Sequence, residues 1–227
     1  MGRELRAGCG DPLHSEGERM IEMDSGVNVE TVFIVDDDPD IREGLCDLLD
    51  SVGICVRSFS AAEEFLEAWN PKMAGCLLLD VRLPGMSGME LQEGLLKGNL
   101  KIPIIIMTGH GDMPMVRKVM KAGAVEFLIK PFQKEELLHG VEQAFALDRA
   151  RRGEQESFRG IRECIASLTP REHEVMTMVT AGLLNKQIAA ELNLSEITVK
   201  LHRRRVMEKM KADSLAELVR FCERIKS

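Results

Sequence analysis

From Thr31 onward, hydrophobic and polar positions alternate in blocks. Short apolar runs, "TVFIV" (31–35), "ICVRSF" (54–59), "GCLLLD" (75–80), "IPIIIMT" (102–108) and "AVEFLI" (124–129), are separated by amphipathic stretches such as "IREGLCDLLDSVG" and "AAEEFLEAW". Five strands alternating with helices predict βαβ units and an α/β fold with a five-stranded, parallel, doubly wound sheet. The runs are apolar at nearly every position, as expected of strands covered on both faces. The last helix of this block, "QKEELLHGVEQAFALDRARR", passes into a charged stretch, "ARRGEQESFRG", that reads as a linker with helical character.

After Ser167 the period is 3.6 throughout and strand signals stop. Thr169, Pro170 and Glu172 predict a capping box with proline at the first helical position. "LLNKQIAAEL" predicts a short helix, and Ser195 in the following turn can cap a third, "EITVKLHRRRVMEKMK". Ser214 and Glu217 predict a further capping box and a last helix, which together make a small all-α module. Residues 1–28 carry glycine and charge without a period and are expected to form a flexible N-terminal extension. The expected organisation is an α/β domain over 29–147, a linker over 148–166 and a helical domain over 167–227.

Composition narrows the class. The chain has 227 residues, 44% hydrophobic and 30% charged, the balance of a globular protein. No apolar run approaches the roughly 20 residues of a membrane helix, and the first residues lack the apolar core of a signal peptide. The six cysteines (Cys9, Cys46, Cys55, Cys76, Cys164, Cys222) are scattered without a CxxC pair, so they are expected to pack as small hydrophobes in a cytoplasmic protein. The net charge of −7 divides unevenly. Residues 29–147 hold 11 basic and 19 acidic side chains, whereas residues 167–227 hold 11 basic and 8 acidic. An acidic front and a basic rear suit two modules with different partners.

The stretch "TVFIVDDDPD" runs strand-forming residues into three consecutive aspartates, whose charges repel and resist desolvation. In open α/β sheets, ligands sit beyond the carboxyl ends of the strands near a topological switch point. Asp36 and Asp37 end the first predicted strand and Asp80 ends the third, so three carboxylates would meet in one cleft. Hard oxygen ligands with room for waters suit Mg²⁺. Asp38 and Asp40, with Pro39, are expected to face water and start the next helix. Alone, each motif reads equally well as an ordinary helix start or strand end. Thr108 and Lys130 at the ends of strands four and five change that, because the assembled groups suit a phosphate-bearing ligand. A carboxylate can accept a phosphoryl group, and Mg²⁺ and a lysine would offset the transferred charge.

"VDDDPDIREGL", "LLLDVRLPGMSGMEL", "IIIMTGHGD" and "AGAVEFLIKPF" resemble the receiver domain of two-component response regulators, over roughly residues 30–147. The resemblance implies that Asp80 is the phosphoacceptor. It also implies that Asp36, Asp37, Asp80 and the backbone carbonyl of Arg82 hold Mg²⁺. Thr108 matches the switch hydroxyl, Lys130 the phosphate-pairing lysine and Phe127 the switch aromatic. The Lys130–Pro131 bond is expected to be cis on the same ground. Phenylalanine at 127 departs from the tyrosine often found there and has no hydroxyl to donate.

In the rear module, a helical wheel of "EITVKLHRRRVMEKMK" groups Val199, His202, Val206 and Met210 on one face. Lys200, Leu201 and Arg204 lie opposite, with Ile197 and Arg205 at the flanks. Outward cations with one apolar side chain suit a major-groove reader, although "HRRR" alone reads as a solvated charged face. The stretch "LTPREHEVMTMVTAGLLNKQIAAELNLSEITVKLHRRRVMEKM" resembles the helix-turn-helix of the LuxR/FixJ group, over residues 167–224. That resemblance implies base contacts by Lys200, Leu201 and Arg204, and DNA phosphate contacts by Asn185, Lys186 and Thr198.

Together the halves resemble a FixJ/NarL-type response regulator. This implies phosphorylation by a sensor histidine kinase, homodimerisation on phosphorylation, binding to double-stranded promoter DNA, and RNA polymerase as a partner, with no membrane partner. Two alternatives are weaker. A phosphohydrolase using Asp80 would need a general acid and a substrate pocket, which the short loop "VRLPGMSG" does not supply. A constitutive regulator would not need the intact set of Asp37, Asp80, Thr108 and Lys130.

Overall fold

A computed structural model of the chain describes residues 29–98, 100–109 and 113–226. The stretch expected to be an N-terminal extension, and Cys9 within it, lie outside the described residues. The chain divides into two compact units between Arg149 and Ala150.

The first unit alternates strand and helix. It runs β1 (Thr31–Val35), α1 (Pro39–Asp50), β2 (Cys55–Phe59), α2 (Ala62–Ala68), β3 (Gly75–Asp80), α3 (Gly88–Lys97), β4 (Ile104–Thr108), α4 (Met113–Lys121), β5 (Glu126–Ile129) and α5 (Lys134–Ala166). All strand pairs are parallel, in the order β2-β1-β3-β4-β5. Successive side chains on a strand point to opposite faces, and the burial follows that period of two. Phe33, Val35, Leu77, Leu79 and Ile106 pack with Phe65, Leu91, Leu95 and Val119 from α2, α3 and α4. Val32, Ile34, Leu78, Ile105 and Met107 pack on the other face with Leu45 and Leu49 of α1 and Leu137 and Val141 of α5. Both faces of the central strands are therefore dry, which explains their near-continuous apolar sequence.

One close backbone approach and one side-chain hydrogen bond hold Gly75 at the start of β3. Gly75 has φ of +140°, and a Cβ there would lie 1.8 Å from the Thr31 carbonyl oxygen, so only glycine fits. Its N–H donates to the buried carboxylate of Asp148 at 3.0 Å, which ties α5 to the start of β3.

The stretch read as a linker is helical throughout, because α5 continues to Ala166. It contains no proline. Ile161 on its final turns is buried in the core of the second unit, which gives the extra turns a packing role. The rest of that unit comprises α6 (Pro170–Thr180), α7 (Asn185–Leu192), α8 (Glu196–Met210) and α9 (Leu215–Lys226). Thr169 and Glu172 form the expected reciprocal capping box on α6, and Ser195 caps α8 by accepting from the Thr198 N–H at 3.1 Å. At α9 the box is half formed. Ser214 Oγ accepts from the Glu217 N–H at 3.2 Å, while the Glu217 carboxylate accepts from the Asp213 N–H at 2.9 Å. Val175, Val179, Ile188, Val199, Val206, Met210 and Leu218 form the core.

Candidate functional site

The strand order reverses between β1 and β3, which is where a doubly wound sheet opens a crevice. Val35 pairs with Leu79, so Asp36 and Asp80 stand level on adjacent strand ends. Asp36 is fully buried, Asp80 nearly so, and Asp37 is exposed. Carboxylate oxygens of all three lie within 4.8 Å of one another, a group that fits a metal ion. Asp38 does not join them. Its carboxylate caps α1 by accepting from the N–H groups of Asp40 and Ile41, as its place before Pro39 led one to expect.

Lys130 follows β5 and reaches across the strand ends, donating to Oδ2 of Asp36 and to Oδ2 of Asp80. The other oxygens of these carboxylates are also engaged. Asp36 Oδ1 accepts from the Asp38 N–H at 3.0 Å, and Asp80 Oδ1 from the Arg82 N–H at 2.9 Å. Burial pushes the Asp36 carboxyl above its ordinary range, and the hydrogen bonds from Lys130 and the Asp38 N–H only partly offset that. For Lys130, burial acts downward, but the two carboxylates together outweigh it and hold the ammonium above its ordinary range. An ammonium serving two carboxylates shows what this cluster takes: positive charge.

Thr108 is fully buried at the end of β4, and its carbonyl accepts from the Lys130 N–H at 2.8 Å. The Lys130–Pro131 bond is cis, as expected. Phe127 is half-buried on β5 and packs against the core shared with α3 and α4. Arg82 is exposed, two residues beyond β3, with its N–H turned to Asp80.

Two positioning residues escaped the sequence reading. A Cβ on Gly88 would lie 2.1 Å from the Asp80 carbonyl oxygen, and the Gly88 N–H donates to the Val81 carbonyl at 3.1 Å. The start of α3 is thereby held against the end of β3. The signal was a second glycine in "LPGMSGMEL", although nothing in the string says which backbone it touches. Arg42 donates from Nη1 to the Asp36 carbonyl at 2.7 Å, bracing the end of β1 from α1.

In the second unit, Val199, Val206 and Met210 are buried, and His202 beside them is half-buried, as the wheel implies. Lys200, Leu201 and Arg204 are exposed on the opposite face of α8. Arg204 pairs with Glu208 at 2.8 Å, but its side chain is 78% exposed, and such surface pairs contribute only about 0.3–0.5 kcal/mol. Lys186 is exposed near the start of α7. Asn185 beside it is half-buried, and its side-chain oxygen accepts from Arg203 at 2.6 Å, leaving the NH₂ as the group suited to an anion. Thr198 is half-buried with its hydroxyl 2.8 Å from Ser195 Oγ.

The chain matches two family models. Residues 32–142 match the response regulator receiver domain, and residues 166–222 match the bacterial regulatory proteins of the luxR family. It is 50% identical to nodulation protein W of Bradyrhizobium diazoefficiens over 192 residues, 85% of either chain. It is 42% identical to the transcriptional regulatory protein FixJ of the same organism, over 85% of this chain and 94% of that one. Among solved structures, the response regulator StyR superposes with a TM-score of 0.79 at 49% identity, covering 86% of this chain and 98% of that one. These relatives are regulators rather than enzymes, and a receiver joined to a LuxR-type domain implies a histidine kinase partner and DNA binding. The chain belongs to the FixJ-like, LuxR-type family of two-component transcriptional response regulators.

Proposed function

We propose that this protein is a Mg²⁺-dependent phosphorylation switch, in which a sensor histidine kinase transfers a phosphoryl group to Asp80. The observation that carries the reading is the meeting of the Asp36, Asp37 and Asp80 carboxylates under Lys130. Hard oxygen donors with an exposed member suit a small divalent cation that keeps several waters. Asp36, Asp37, Asp80 and the Arg82 carbonyl would hold the ion. When bound, Mg²⁺ supplies charge neutralisation for the carboxylates and for the incoming phosphoryl oxygens.

In the transfer itself, an Asp80 carboxylate oxygen attacks phosphorus, the P–N bond to the kinase histidine breaks, and the imidazole leaves with the electron pair. Asp80 can then no longer accept from Lys130 as a free carboxylate. Lys130 turns to the phosphoryl oxygens, and the Thr108 hydroxyl follows. Phe127 lacks a hydroxyl, so any response in β5 goes through packing. The result biases an equilibrium towards a form that dimerises and binds DNA.

The functional boundaries of this reading are a receiver over 29–147, a helical connection over 148–166 and a DNA-binding domain over 167–227. Lys200, Leu201 and Arg204 would meet base edges, and Asn185, Lys186 and Thr198 the phosphates. The bound homodimer would act on RNA polymerase at promoters, in the cytoplasm. The test is incubation of the full chain with a radiolabelled small acyl phosphate. Stoichiometric, Mg²⁺-dependent labelling that is lost in Asp80→Asn supports the reading. Labelling that persists in Asp80→Asn overturns the assignment, and multiple turnover would mark a hydrolase instead.

A further inference from the structure

Ile197 is the most exposed large apolar side chain among the described residues, at 80%, and Leu201 one turn later is 47% exposed. Ile197 is the second residue of α8. It shares one stripe with Lys200, Leu201 and Arg204, at spacings of three, four and seven, all within about 100° around the helix. The wheel alone put Ile197 at the flank of this face, whereas the structure leaves it the most open of the apolar group. An isoleucine this exposed adds nothing to the core of its own unit. Single exposed hydrophobes are ordinary, but two on adjacent turns, interleaved with two cations, form a surface of mixed chemistry.

We infer that Ile197, with Leu201, reads the 5-methyl groups of thymines in the major groove, and that Ile197 is a specificity-determining residue. This rests on the reading of α8 as the helix that enters the groove. A recognition helix meets base edges with its N-terminal residues, and Ile197 is at that end. The thymine methyl is the one apolar group that a base pair presents there, so it is the natural partner for an aliphatic side chain. Lys200 and Arg204 on the same stripe favour a polyanion over a neutral apolar partner. The occupant is therefore double-stranded DNA with thymine in each half-site.

The experiment first selects a preferred duplex from a random library with the full-length protein. Each thymine of that duplex is then replaced, one at a time, by uracil, which removes the methyl and leaves every hydrogen-bonding group in place. Binding is measured for the wild-type chain, Ile197→Ala, Ile197→Val and Arg204→Ala. Alanine is the best helix former and position 197 is exposed, so Ile197→Ala keeps the fold. The wild-type chain is expected to lose about fourfold in affinity per half-site when the contacted methyl is removed, the worth of one buried carbon. Ile197→Ala is expected to bind the parent duplex about fourfold more weakly per half-site and to be indifferent to uracil at that position, with Ile197→Val restoring the sensitivity. If Ile197→Ala keeps the wild-type response at every uracil while Arg204→Ala relaxes one base preference, α8 reads DNA without Ile197 and the inference falls. If neither variant changes any preference, the reading of α8 itself falls. If Ile197→Ala binds all duplexes as the wild type does but sediments as a smaller species, the patch meets a second copy of this chain and the inference is overturned.

Discussion

Lys209 on the last turns of α8 donates to the buried carboxylate of Glu172 at 2.6 Å, joining α8 to the first turn of α6. The same carboxylate accepts from the Thr169 N–H at 2.9 Å, so the capping box and the interhelical bridge share one group. The Lys209 hydrogen bond, followed by the Thr169 N–H, holds Glu172 well below the usual carboxylate range, at about 2.

A depressed pKa in the folded state means stability that is present above the unfolded value and lost as pH falls through the folded one. Glu172→Gln keeps the shape and loses the charge. It is expected to cost about 1.5–3 kcal/mol at neutral pH, the usual worth of a charge-assisted hydrogen bond. The gap between variant and wild type should close between about pH 4.5 and about 2. Denaturant unfolding of the full chain at a series of pH values measures this. A gap unchanged at pH 2 would mean that Glu172 acts through packing rather than charge.

Lys130→Met is expected to destabilise the first unit by about 3–5 kcal/mol at neutral pH, because it leaves Asp36 buried without its counter-charge. Asp36 already titrates above its ordinary range, so an unpartnered Asp36 should protonate more readily still. The sign follows. The penalty is present above the folded pKa and relieved as pH falls through it. Added Mg²⁺ should raise the melting temperature of Lys130→Met more than that of the wild type, since the cation replaces the missing ammonium. Calorimetry with and without Mg²⁺ decides it, and equal shifts in both proteins would contradict the exchange of one cation for another.

Gly88→Ala and Gly94→Ala lie six residues apart on α3 and should behave oppositely. At Gly88 a methyl meets the Asp80 backbone, and overpacking of this kind costs about 1–3 kcal/mol. Under the proposed function, Asp80 should also be labelled more slowly, because its own backbone must move. At Gly94 nothing lies within 4 Å of a new Cβ, and alanine in a helix interior should stabilise by about 0.5–1 kcal/mol. Melting curves and labelling rates of the two variants provide the comparison. A slow Gly94→Ala would show that labelling tracks something other than the Gly88 contact.

The cations of the second unit are expected to divide by role. Arg204→Ala is expected to lower specific binding and relax preference at one position per half-site, where a bidentate contact to guanine carries about 1–3 kcal/mol. Lys186→Ala should weaken specific and non-specific binding alike and reduce the salt slope by about one per monomer. Salt titrations on a selected duplex and on a scrambled one separate the two. Equal losses by Arg204→Ala on both duplexes would assign Arg204 to the phosphates.

Much of this was legible because strand ends are legible. Asp36, Asp80, Thr108 and Lys130 each sit where an apolar run stops, and a parallel sheet gathers such positions at one edge. What stayed hidden depends on contacts between residues far apart in the chain. Nothing near Lys130 says that it reaches both Asp36 and Asp80, and nothing near Asp148 says that its carboxylate is spent on the Gly75 N–H. The charged stretch after Arg149 read as a linker because its apolar positions are few, but Ile161 finds a core in the second unit. Periodicity assigned Ile197 a direction, whereas exposure is set by what the neighbouring helices leave uncovered.

Trp69 stacks on Phe65 with ring centroids 5.9 Å apart and planes 23° from parallel. It is the only tryptophan of a chain with no tyrosine, and it is buried in the first unit. The protein is therefore optically one-sided. The indole lies in the unit that carries Asp80, and the unit that carries α8 has no indole or phenol of its own, while far-ultraviolet dichroism sees both. In the intact, unlabelled chain, a dichroism transition that the indole does not share is therefore assigned to the DNA-binding unit.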